Sequence, residues 1–89
     1  MSSVVDSLPY RLKSIFITVV GGQDDQLLES LRTQKEPTLQ QRIAVERILS
    51  NEFSRNLGPD YEPTPRGRDI DNVLGAFLLR WPIEVDRDT

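Results

Sequence analysis

The segment from Leu39 to Leu57 carries a helix signal at both ends, and it constrains the chain more than any other feature. Thr38 offers a hydroxyl N-cap behind Pro37, and Gln41 three residues on can return the bond as a capping box. Gly58 and Pro59 supply a left-handed cap residue and the breaker that follows it. At 100° per residue Leu39, Ile43, Val45, Ile48, Leu49, Phe53 and Leu57 spread over an arc of about 220°, wider than the stripe of a surface helix. A helix with such a face needs cover on two sides. It is therefore expected to be the central helix of the core, or to give part of its arc, Ile48 included, to another chain.

A second helix starts behind Thr64 with Pro65 at its first position, and Pro82 stops it by Trp81. Its stripe of Ile70, Val73, Leu74, Phe77, Leu78 and Trp81 spans an ordinary core-facing arc of about 140°, with Leu79 pointing the other way. The linker GPDYEPT between the two helices is rich in turn-formers and suits an antiparallel hairpin. A shorter helix is expected from about Asp25 to Lys35, capped by Asp24, with Leu27, Leu28 and Leu31 as a thin apolar face.

The first segment reads two ways. Leu8, Leu12, Ile15, Phe16 and Val19 have helical spacing, with Ser7 as a cap and Pro9 in the first turn. The β-branched run ending at Gly21-Gly22 would also suit a short strand near residues 14–20 pairing with 83–85. Helix is preferred, so the expected architecture is all-α: a single small domain over residues 1–89, a bundle of three to four helices, with residues 86–89 as a frayed tail.

Composition enters through what it removes. The chain has no cysteine and no histidine, which eliminates thiolate nucleophiles, disulfides, Ser-His triads and every His- or Cys-ligated metal site. No metal or other cofactor is expected. The N-terminus lacks the pattern of a secretory signal, and the longest apolar run, Ile15 to Val20, is far short of the roughly twenty residues of a membrane span. A cytoplasmic protein with no membrane contact is expected. A formal charge of −3 argues against a globally cationic nucleic-acid binder.

Two surface features carry chemistry. Thr64, Arg66, Gly67 and Arg68 place two guanidinium groups at a helix start, where an anion would be favoured over a cation. They form a candidate anion site, against the plainer expectation that the arginines pair with Glu62, Asp69 or Asp71. The acids Asp60, Glu62, Asp69 and Asp71 match no calcium-loop spacing and read as a solvated face. Tyr61 is either a staple over the hairpin or an exposed anchor, while Trp81 belongs to the core.

The function these features favour is a small acidic helical protein–protein interaction module, of the adaptor, inhibitor, antitoxin or immunity-protein kind. It would be non-catalytic and homodimeric or bound to another protein, with Ile48, Leu79 and Tyr61 as surface candidates. The alternative is a nucleic-acid-binding regulator using Arg66, Arg68 and Arg80, or Arg42, Arg47 and Arg55. An enzyme ranks third.

Overall fold

The computed structural model describes residues 3–83. Its order is α1 (Tyr10–Gln23), α2 (Asp25–Thr33), α3 (Leu39–Arg55) and α4 (Pro65–Arg80), an all-α bundle with no strand among the described residues. Residues 14–20 lie inside α1. Phe16, Val19 and Val20 are all buried, a spacing that places them on one side of a helix and on alternating sides of a strand. The strand alternative's partner segment lies partly, and the expected tail wholly, outside the described residues.

Local signals set most of the helix ends. The Thr38–Gln41 capping box is formed in both directions, Thr38 Oγ1 accepting from the Gln41 N–H (3.1 Å) and Gln41 Oε1 from the Thr38 N–H (2.9 Å). Asp24 caps α2 by accepting from the Leu27 N–H at 3.0 Å. Thr64 caps α4 with Pro65 in its first turn. Three expectations are corrected. α1 begins after Pro9 rather than at Ser7, whose hydroxyl donates instead to the Ser3 carbonyl at 3.0 Å. α1 runs on through Gly21-Gly22, where the strand alternative would have ended, and a Cβ at Gly21 would stand 2.7 Å from Leu28 Cδ2, so the bare backbone lets α2 fold back closely. α3 stops at Arg55 with Asn56 as its cap, and the left-handed residue of the following loop is Tyr61 at φ 63° rather than Gly58.

The central position also differs from expectation. α1 packs against α2, α3 and α4, whereas α3 buries only Val45 and Leu49 and pairs chiefly with α4. Leu39 and Ile43, at the start of the wide arc, remain 48% and 37% exposed. The core also takes in residues before α1: Val4, Val5 and Leu8 are buried in a short turn, tied down where the Val4 N–H donates to the Gln34 carbonyl at 2.8 Å. Lys13 adds a contact of 3.5 Å to Asp6, whose carboxyl is held below its ordinary pKa mainly by hydrogen bonding with Ser3, with Lys13 contributing.

The core joins at the aromatics, Phe77 stacking on Phe16 with centroids 5.7 Å apart and meeting Trp81 at 5.3 Å. α3 and α4 are antiparallel, and their far ends are stitched by Arg42, which donates to the carbonyls of Pro37 (3.1 Å) and Pro82 (3.0 Å). Their near ends close through Gly67, where an added Cβ would fall 2.8 Å from the Asn56 carbonyl oxygen. A Cβ at Gly75 would meet nothing within 4 Å. Gly75→Ala is therefore expected to stabilise by about 0.5–1 kcal/mol through helix propensity, and Gly67→Ala to destabilise by about 1–3 kcal/mol despite the same propensity gain. Thermal melts of the two variants check this; equal shifts would contradict the close approach at Gly67.

Candidate functional site

The hairpin loop is built from α3's last carbonyls. Asn56 O accepts from both the Thr64 N–H and the Thr64 hydroxyl, each at 2.9 Å, and Leu57 pairs across to Pro63. Inside that bridge the Gly58 N–H donates to Glu62 O at 2.6 Å and the Tyr61 N–H to Gly58 O at 2.9 Å. A loop closed at two levels leaves little freedom at its tip, which is where Tyr61 takes its left-handed backbone. Its side chain is 82% exposed, so it is no staple over the hairpin.

The Thr64–Arg68 turn offers an anion little. Of the four N–H positions that a helix start leaves open, Thr64 N–H is taken by Asn56 O, Pro65 has none, and Gly67 N–H donates to Thr64 Oγ1 at 3.1 Å. Only the Arg66 N–H is left over. Gly67 serves the approach of α4 to Asn56 rather than of a ligand. Arg66 and Arg68 are exposed, and the ion pairs among the described residues are Lys13–Asp6 and Arg55–Glu52, so the expected pairing with Glu62, Asp69 or Asp71 is not formed. The same acids, with Asp60, are all exposed. Among the described residues no three His, Cys, Asp or Glu side chains lie close enough to hold a metal ion.

The other arginines weighed from the sequence, Arg42, Arg47, Arg55 and Arg80, differ in how far the fold engages them. Arg47 and Arg55 line a small cleft with Gln23, Ile48, Asn51 and Glu52, beside the C-terminal end of α1, where the helix dipole favours cations. Arg42 is committed to two backbone carbonyls, and Arg80 lies 5.4 Å over the Trp81 ring. Ile48, a surface candidate from its position on the arc, is half-buried and packs against the core.

Leu79 is 87% exposed. It borders an open groove at the seam between the turn before α1 and the C-terminal half of α4, lined also by Ser7, Leu8, Pro9, Ala76 and Arg80. Tyr10, next to Pro9, is equally exposed at 87%. Sequence reasoning passed over Tyr10, although it lies roughly opposite the Leu8–Val19 stripe at 100° per residue, which is the signal that marks it as outward-facing. The site residues named from sequence thus separate: Leu79 belongs to the seam, Thr64 to Arg68 and Tyr61 to the hairpin end, and Ile48 to the α1–α3 contact.

A left-handed backbone costs a bulky residue about 1 kcal/mol, and asparagine tolerates it better. Tyr61→Asn is expected to raise the melting temperature by a few degrees; a lower one would mean that the ring supports the loop. Comparison with family models, with curated proteins and with solved structures returned no match for this chain, so its function has to be read from its own surface.

Proposed function

We propose that this chain is a small, non-catalytic protein–protein interaction module that pairs with a second copy of itself through the seam between its N-terminal turn and α4, in the manner of adaptor, inhibitor, antitoxin or immunity proteins. The observation that carries this reading is Leu79, a large apolar side chain left 87% exposed beside a groove whose walls include Leu8, Pro9 and Ala76. In a two-fold contact the same patch meets itself, so a projecting leucine and an adjacent apolar groove satisfy each other's needs. Charge favours the same face. The groove's lining contains no acid, and its one cation, Arg80, lies against Trp81. For a chain of net charge −3, an acid-free face is where two copies approach with least repulsion. The absence of histidine and cysteine supports the non-catalytic part of the reading.

Light scattering over a tenfold concentration range is expected to give a mass rising to about 20 kDa, twice the 10.2 kDa of the chain. Leu79→Glu is expected to return it to the monomer with an unchanged helical circular-dichroism spectrum, since that side chain takes no part in the core. A parent protein that stays monomeric throughout would overturn the pairing.

A further inference from the structure

We propose that Gly75 is the seat for Leu79 of the second copy, so that the two α4 helices pair antiparallel with each leucine packed on the bare backbone of the other. This rests on the reading of the Leu79 face as a self-pairing surface and adds the residue that receives the leucine.

Glycine is disfavoured inside a helix, so each one found there calls for a physical cause. Four of the chain's five glycines have one. A Cβ at Gly21 would crowd Leu28, one at Gly67 would crowd the Asn56 carbonyl, and one at Gly58 would stand 3.3 Å from Glu62 O. Gly22 is next to last in α1, where glycine commonly ends a helix. Gly75 lies in the interior of α4, is exposed, and would offer a Cβ nothing within 4 Å. No described residue of the chain itself makes use of the missing side chain.

Leu79 does. It is one turn on from Gly75, about 6 Å along the axis and about 40° around it, so the two share the outward face of α4. Residues four apart form the ridges by which helices interlock, and the exposed ridge Asp71–Gly75–Leu79 has a gap directly before its projecting leucine. Ala76, which lines the groove beside Leu79, keeps the adjoining position small as well. A foreign partner would need only the leucine or only the gap. One face that carries both, side by side, is complementary to itself.

The orientation follows from symmetry. In a parallel two-fold pair every residue meets its own level, which would set Leu79 against Leu79. In an antiparallel pair whose axis passes midway between positions 75 and 79, each Leu79 reaches the partner's Gly75, and both gaps fill at once.

The test is sedimentation equilibrium of the full chain, comparing the parent with Gly75→Ala, Gly75→Gln and, at the other glycine with open space, Gly22→Gln. Alanine and glutamine both favour helix, so melts of the diluted Gly75 variants are expected no lower than the parent's, and lost pairing cannot be put down to lost folding. The dimer dissociation constant is expected to rise a few-fold for Gly75→Ala, about tenfold or more for Gly75→Gln, and not at all for Gly22→Gln. A parent that dimerises and is unaffected by Gly75→Gln, or is weakened equally by Gly22→Gln, would overturn the seat while leaving the Leu79 reading in place. A parent that stays monomeric would overturn both.

Discussion

Phe77 stands between Phe16 of α1 and Trp81 at the end of α4, and the bundle depends on that contact. α1 is the helix that also touches α2 and α3, so the stack, with the α1–α3 contact, joins the α3–α4 hairpin to the part of the chain that precedes it. Truncating a buried phenylalanine typically costs about 3–5 kcal/mol, a large share of the roughly 5–15 kcal/mol that holds a small domain together. Around the aromatics Val4, Phe16, Val20, Leu31, Val45, Leu49, Ile70 and Val73 are fully buried, drawn from the N-terminal turn and all four helices.

The two ends of the α3–α4 hairpin are held by different means. At one end the bare backbone of Gly67 lets Asn56 O come within reach of Thr64, which satisfies carbonyl and cap together. At the other, Arg42 spans from Pro37 to Pro82, joining the α2–α3 connection to the segment after α4. A hairpin clamped at both ends holds its surface features fixed relative to each other. Leu79 and Tyr61 are thus presented from a rigid element rather than from loose chain.

Much of the fold was legible because its signals are local. Capping oxygens at Asp24, Thr38 and Thr64, and Pro65 in the first turn of α4, act on N–H groups within three residues, so spacing alone reveals them. The apolar stripe of α4 and its outlier Leu79 were equally readable, since a helix turns by a constant angle. The N-terminal turn was not, because Val4 and Val5 follow no period and are buried only by what folds over them. Tyr61 was left open between staple and anchor, and the hydrogen bonds that decided it run from Gly58 to Glu62 and from Asn56 to Thr64.

The sequence by itself favoured an all-α chain of three to four helices over one with a short strand near residues 14–20, and it determined the approximate limits of the three later helices, the absence of thiol and imidazole side chains, and the outward leucine on α4. Tertiary structure alone decided which helix is central, which part of α3's wide arc stays uncovered, and that Arg42 is used within the fold. The division has one physical reason. Hydrogen bonds near a helix end and the angle between successive side chains are properties of a few neighbouring residues, whereas burial and the partner of a long arginine depend on segments distant along the chain. Pro82 lies forty positions from the guanidinium that it accepts from, and no spacing rule connects the two.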